Sequence, residues 1–157
     1  LMLTHLDRVY SDNTLNKSTS AAKAIHEIAE SIHKRSLVII FSDMFEDTTK
    51  ADELFSALQH LKHNKHEVVV FHVTDKKHEL DFAYDNRPYV FVDMETGEKV
   101  KLRSNDVKSF YTEQMEQYIK TLKLRCHQYH IDFVEADMNA GFKEVLLPYL
   151  VKRQKQR

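Results

Sequence analysis

The chain has 157 residues, a formal net charge of −1 with acidic and basic residues mixed along it, and a single cysteine. This length suits one domain with its own core, and the balanced charge argues against binding of nucleic acid or a membrane surface through bulk charge. Two glycines are too few for a P-loop or a dinucleotide fingerprint, and no apolar run is long enough to span a membrane.

The first part of the chain predicts helix, loop and helix. Residues 1–10 have apolar side chains at helical spacing, and residues 11–17 are rich in turn formers. An amphipathic helix begins near Ser20, with Ser18 or Thr19 as its N-terminal cap. The chain begins with Leu, and we expect it to be a processed or truncated piece.

Two apolar runs predict strands of a parallel sheet. Residues 37–41 are five consecutive apolar residues, which predicts a strand buried on both faces. A helix with leucines at helical spacing follows, and residues 67–73 form the second run. Strands joined by a helix through short loops should be parallel with a right-handed crossover. Residues 75–87 are predicted to be a polar loop.

The second half adds a hairpin and a third strand. Residues 88–103 predict a hairpin that turns near Gly97. A long helix is expected over 104–128 and a core strand over 131–136. A final helix should be kinked or divided at Pro148, because proline removes a backbone hydrogen bond.

This element order predicts one α/β domain over residues 1–157. We expect a three-layer sandwich around a three-stranded parallel sheet, with the hairpin at about 88–103 as an insertion. In open parallel sheets ligands bind at the carboxyl ends of the strands, where Ser42 and Asp43 stand. Either these residues belong to a ligand site, or they are ordinary strand-exit residues that cap the next helix.

Two further groups of residues suggest metal ligands only weakly. His60, His63 and His66 span a helix end and a turn, and a solvated helix end is the favoured interpretation. Cys126 and His130 have the spacing of two zinc ligands, but no second pair exists. A buried thiol is therefore favoured for Cys126, and its being the only cysteine fits a reducing, cytoplasmic compartment.

Four segments in order, TSAAKAI, KRSLVIIFSD, NKHEVVVFHV and DMETGEKV, resemble a bacterial family. The family is known as domain of unknown function 58, and more widely the stretch resembles the von Willebrand factor type A domain. The resemblance covers roughly residues 1–150. It implies a partial von Willebrand A or Rossmann-like fold, of which this chain would be the C-terminal portion.

The resemblance also implies part of a metal-ion-dependent adhesion site. In such domains hydroxyl and carboxylate oxygens from three loops hold Mg²⁺ or Mn²⁺. Thr19 and Asp43 match two of those loops, with Ser42 and Ser18 as less certain neighbours. The third loop, Asp-x-Ser-x-Ser, does not occur in this sequence. We therefore expect the cation in the full-length protein and none bound to this chain alone.

The function that the resemblance implies is a non-enzymatic protein-interaction module. Similar family members are thought to work with MoxR-type AAA ATPases, and Tyr89 and Phe91 on the hairpin are expected to contact a partner. One alternative is a metal-dependent hydrolase that uses Asp43 with Glu46 or Asp47. Another alternative is a structural fragment without activity of its own.

The resemblance further implies that a strand missing from this chain would lie beside residues 37–42. Without it those residues form an unprotected apolar edge, which predicts a homodimer. A monomer would instead place Leu3, Leu6 and Tyr10 over Val38 and Ile40.

Overall fold

The computed structural model describes residues 21–44, 48–93 and 97–155. The helix expected over 1–10, its side chains Leu3, Leu6 and Tyr10, and the cap at Ser18 or Thr19 lie outside the described residues. The elements within the described ranges are, in chain order, α1 (Ala21–Ser31), β1 (Leu37–Ser42), α2 (Thr48–His63), β2 (Glu67–Thr74), a π-helical turn (Lys76–Leu80), β3 (Pro88–Val92), β4 (Lys99–Arg103), α3 (Ser104–Gln128), β5 (Asp132–Asp137) and α4 (Phe142–Lys155).

The core is a three-stranded parallel sheet with β2 in the centre. The strand order is β1, β2, β5, and both pairings are parallel. Phe41 on β1 lies opposite Phe71 on β2, which lies opposite Val134 on β5. The predicted α/β class with a three-stranded parallel core is confirmed.

Helices cover both faces of this sheet, which gives three layers. Successive residues of β2 point to opposite faces, so Val68 and Val70 pack with α1, α2 and α3. Val69 and Phe71 pack with α4, where the Phe71 and Tyr149 rings meet edge to face with centroids 5.4 Å apart. This central strand is therefore buried on both sides.

Within the described ranges, strand β1 is covered on one face only, so the prediction of burial on both faces is wrong for it. Val38 and Ile40 pack against the helices of the larger layer. Leu37, Ile39 and Phe41 point the other way and are 43%, 46% and 67% exposed. The reason is that α4 packs over β2 and β5, and its contacts do not extend across β1.

The hairpin forms a separate two-stranded antiparallel sheet, as predicted. Its turn contains Gly97 at φ +74°, in the left-handed region that glycine enters without steric cost. The Gly97 amide donates to the Asp93 carbonyl at 2.8 Å, and the Asp93 amide donates to the Glu98 carbonyl at 2.9 Å. These bonds close the end of the hairpin.

Two local predictions need correction. Residues 75–87 are more than a polar loop, because they contain the π-helical turn and the buried side chain of Phe82. Helix α4 continues through Pro148 as one element, so of the two predicted outcomes the division is wrong and the kink stays a prediction. Val145, Leu146 and Tyr149 pack on the sheet on both sides of the proline, and this packing holds the two halves together.

We expect Phe71→Ala to be among the most damaging single truncations in this core. Phe71 is 2% exposed and contacts rings on two neighbouring elements, so its removal leaves a cavity beneath α4. The free energy of unfolding should fall by roughly 3–5 kcal/mol in urea denaturation. Phe110→Ala is the control, because Phe110 is 68% exposed. An equal loss in both variants would contradict the packing described here.

Candidate functional site

Polar residues collect at the carboxyl ends of the three parallel strands. Asp43 follows β1, Asp75 follows β2, and Asp137 ends β5 opposite Thr74. A cleft of about 570 Å³ opens at this edge. Its lining side chains are Phe41, Ser42, Asp43, Val73, Thr74, Asp75, Glu79 and Met138. The sheet thus brings the sequence-predicted Ser42 and Asp43 together with acids from the turn after β2.

The turn after β2 is held by hydrogen bonds to Asp75. Its carboxylate accepts from the His78 ring at 2.6 Å, from the His78 amide at 3.2 Å and from the Asn139 side chain at 2.9 Å. These donors, His78 first, hold the pKa of Asp75 below its usual value. The Asp75 amide in turn donates to the Glu79 carboxylate at 2.9 Å.

The end of β5 is tied to the same turn. The Asp137 carboxylate accepts from the Asn139 amide at 3.0 Å, and the Met138 amide donates to the Thr74 carbonyl at 2.9 Å. Asn139 therefore connects Asp137 with Asp75. These bonds make Asp75 the cap of the π-helical turn and Asp137 a turn residue.

The exit from β1 has its own local structure. The Ser42 hydroxyl accepts from the Met44 amide at 2.9 Å, in the manner of a serine turn. Met44 is buried at φ +56°, and its carbonyl accepts a hydrogen bond from the Tyr118 hydroxyl of α3. This anchored turn leaves the Asp43 side chain exposed at the rim of the cleft.

A second group of side chains lies between the hairpin and α3. Tyr89 and Phe91 are half-buried, and their rings contact those of Phe82 and Tyr84 at centroid distances of 5.3 to 5.7 Å. The Phe82 ring also lies 4.6 Å from that of Tyr111. We call these five residues the aromatic cluster. One hairpin face packs on the domain, as predicted, and contact of Tyr89 and Phe91 with a partner stays a prediction.

The comparison with known proteins identifies a family for most of the chain. Residues 2–120 match the family model described as "Protein of unknown function DUF58". The chain belongs to this family. No curated protein and no solved structure is significantly similar to it. The resemblance that rests on the four quoted segments is thereby supported at the level of the DUF58 family.

The described residues of this DUF58 chain do not by themselves form a metal centre. Within ranges 21–44, 48–93 and 97–155 there is no group of three or more His, Cys, Asp or Glu side chains placed to hold a metal ion. Thr19 lies outside those ranges, as do Glu46 and Asp47, the partners of Asp43 in the hydrolase alternative. Asp43 and Ser42 are the predicted ligands whose positions are described.

The histidine run is more than a solvated helix end. His66 is 2% exposed, and its Nδ1 atom accepts a hydrogen bond from the Ser36 amide at 3.2 Å. The solvated interpretation is therefore wrong for His66, which connects the starts of β1 and β2. His60 contacts His26 through their Nδ1 atoms at 3.0 Å, so it faces α1 instead of the other two histidines.

The lone cysteine is buried, as predicted. Cys126 is fully enclosed among the core side chains, and burial raises the pKa of its thiol to about 11. The thiol is therefore neutral at physiological pH, which suits a packing role. Of the helices that the structure describes, none combines the length and the apolar character needed to cross a bilayer.

Sequence reasoning missed three residues near these sites. The prediction of a polar loop over 75–87 covers all three of them. Phe82 and Tyr84 belong to the aromatic cluster, and Glu79 borders the cleft. The signal in the sequence was the pair of aromatics in DFAY, an unusual content for a solvated loop.

His72, on β2 below the cleft, should make stability depend on pH. Burial lowers its pKa below the ordinary 6.5, although nearby Asp43 and Glu135 oppose this shift. The unfolded chain therefore binds more protons than the folded chain as the pH falls below about 6.5. The contribution of neutral, buried His72 to the free energy of unfolding is therefore complete above that pH. It is lost as the pH falls toward the lowered pKa that His72 has in the folded chain.

We expect urea denaturation at pH 8, 7, 6 and 5 to show a smaller acid-induced loss of stability in His72→Leu than in the parent chain. His127→Leu, at an exposed position, is the control and should keep the parent slope. Identical pH slopes in the parent chain and His72→Leu would rule out this role.

Proposed function

We propose that this DUF58 chain is a non-enzymatic protein-interaction module built like the C-terminal part of a von Willebrand factor type A domain. The observation that carries the proposal is the position of Asp43. It stands exposed at the carboxyl end of β1, directly after Ser42 and on the rim of an acidic cleft. In von Willebrand A domains this is the edge at which a cation bridges the domain to its partner.

The proposed cation is Mg²⁺ or Mn²⁺, held by Asp43 and Thr19 with Ser42 as a further oxygen ligand. Hard cations of this kind require several oxygen ligands, which two side chains do not supply. The remaining ligands would come from an Asp-x-Ser-x-Ser loop supplied by another part of the protein or in trans. The cation would supply a positive charge to which an acidic group of the partner binds.

The partner that fits the family resemblance is a MoxR-type AAA ATPase.

A hydrolase is the less favoured proposal, because it requires a second acid beside Asp43. Asp75, which lines the same cleft, is already engaged by His78 and Asn139. A hydrolytic role for Asp43 would thus depend on Glu46 or Asp47.

The first test measures metal binding directly. In titration calorimetry, we expect the 157-residue chain to bind Mg²⁺ and Mn²⁺ weakly or not at all. In a chain that also carries the Asp-x-Ser-x-Ser loop, Asp43→Ala should abolish metal binding and weaken Mg²⁺-dependent binding to the ATPase. Asp85→Ala is the control, since Asp85 is an exposed carboxylate outside the cleft.

Tight binding by the short chain, with a dissociation constant in the low micromolar range, would contradict the partial-site proposal. Metal binding that survives Asp43→Ala in the longer chain would remove Asp43 from the site. A circular dichroism spectrum of Asp43→Ala that matches the parent spectrum shows that the fold is kept, so that any loss of metal binding comes from the missing carboxylate ligand.

We also propose that the chain forms a homodimer through β1. This strand is an outer strand of the described sheet, and Leu37, Ile39 and Phe41 form an exposed apolar row along it. An outer strand of this kind pairs readily with a second copy about a two-fold axis. Burial of these three side chains would contribute several kcal/mol, at roughly 25 cal/mol per Å².

Sedimentation velocity at micromolar concentration tests the dimer. We expect the parent chain to sediment as a dimer and Ile39→Lys or Phe41→Lys as monomers, because a buried ammonium group is costly. Phe110→Lys, on the exposed surface of α3, is the matched control and should stay dimeric. A monomeric parent chain would refute the proposal.

A further inference from the structure

A groove separates the hairpin from the first half of α3. Its volume is about 820 Å³, larger than the cleft at the sheet edge, for which the value is about 570 Å³. The apolar part of its lining consists of Phe91, Val92, Val100, Tyr111 and Met115. Phe91 and Tyr111 belong to the aromatic cluster, in which both of their rings contact the ring of Phe82. Aromatic rings therefore form the floor of the groove.

The hairpin has two faces of different character. Phe91 and Val100 are paired across β3 and β4, so they share the face that looks into the groove. Val90 pairs with Lys101 and Val92 with Lys99, which makes the opposite face partly basic. Val92, at the end of β3, also borders the groove. Val100 is 49% exposed although it lies on the inward face. The packing of the hairpin therefore leaves apolar area in the groove accessible.

The polar part of the lining is entirely acidic. Glu79, Asp93 and Glu98 border the groove, and none of the described residues that line it is Lys, Arg or His. The whole chain has a net charge of only −1, because its acidic and basic residues nearly balance, so the excess of carboxylates along this lining is a local feature. Burial raises the pKa of the Tyr111 hydroxyl, and the negative charge of Glu79 adds to the shift. The negative potential thus reaches the aromatic floor.

We propose that this groove binds a segment of a partner protein in which Lys or Arg side chains flank an apolar residue. The apolar residue packs on Val100 and Met115. The basic side chains lay their methylene stems along the apolar wall and bring their charged groups to the carboxylates and to the face of the Tyr111 ring. Apolar and charged recognition together distinguish such a segment from a merely cationic one.

The inference depends on the proposed function in one respect, which is that the chain acts by binding another protein. It does not require the metal site, since Asp43 lines the other cleft. Glu79 lines both clefts and is therefore left unchanged in the experiment.

The probe is a short fluorescein-labelled peptide with the core Lys-Arg-Leu-Lys-Arg, titrated with the 157-residue chain in fluorescence anisotropy. Two matched peptides replace the central Leu by Ser, or all four basic residues by Glu. We expect the Leu peptide to bind more tightly than the Ser peptide, and the Glu peptide not to bind. Added salt should weaken binding of the Leu peptide, because ion pairs at the rim are screened.

Two valines of the same hairpin give a matched pair of variants. Val100→Ser removes apolar area inside the groove and should abolish the preference for Leu over Ser in the peptide. Val90→Ser makes the same change on the opposite face, where Val90 is 55% exposed, and should leave that preference intact. Equal effects of both variants would overturn the assignment of the groove.

A charge variant tests the rim independently. Asp93→Asn combined with Glu98→Gln should weaken binding of the basic peptide by about tenfold, which corresponds to ~1.4 kcal/mol. Asp85→Asn combined with Glu116→Gln removes two exposed carboxylates that do not line the groove and should have little effect. Equal weakening by both pairs would mean that only overall charge matters, and the proposal would fail.

Two further measurements separate this inference from the proposed function. Asp43→Ala should leave peptide binding unchanged, and a loss of binding in that variant would place the peptide at the sheet edge instead. Val100→Ser should leave the sedimentation behaviour of the parent chain unchanged. A dimer that dissociates in this variant would mean that a second copy occupies the groove, which would also overturn the proposal.

Discussion

Burial of the central strand on both of its faces is the constraint on which the rest of the structure depends. Val68 and Val70 lie beneath the three-helix layer, while Val69 and Phe71 lie beneath α4. The backbone of β2 is paired on both sides, so its polar groups are satisfied within the sheet. Because all three strands are parallel, their carboxyl ends meet at one edge. The acidic cleft is a direct consequence of this arrangement.

Among the residues that the structure describes, the same arrangement leaves β1 with only one covered face. Three helices pack on one side of the sheet and α4 alone packs on the other, where it reaches β2 and β5. Phe41 stacks on Phe71 at 4.9 Å, which gives its ring one neighbour within the sheet, yet it is still 67% exposed. The exposure of the apolar face of β1 is therefore decided by the position of the strand at the side of the sheet and by the number of helices on each face, more than by the composition of β1.

The sequence predicted the elements well because apolar periodicity encodes them directly. Residues 37–41 and 67–73 were both assigned correctly as parallel strands. Their similar composition did not reveal that one is covered on both faces and the other on one, since that depends on helices distant in the chain. Likewise, the burial of His66 depends on the Ser36 amide, thirty positions away in the sequence. Phe82 was missed because its partners, Phe91 and Tyr111, lie on other elements.

For the candidate site, the sequence predicted Asp43 at the strand end but did not predict its surroundings. Glu79, from a turn that seemed only polar, connects the cleft at the sheet edge with the hairpin groove. Its carboxylate is fixed by the Asp75 amide, so it contributes negative potential to both. None of the described residues lining either cavity is Lys or Arg. A positive ligand bound in one cavity would therefore reduce the attraction of the other for a second positive ligand. By thermodynamic linkage, each ligand would lower the affinity of the chain for the other by the same factor. Salt would weaken this coupling because it is electrostatic.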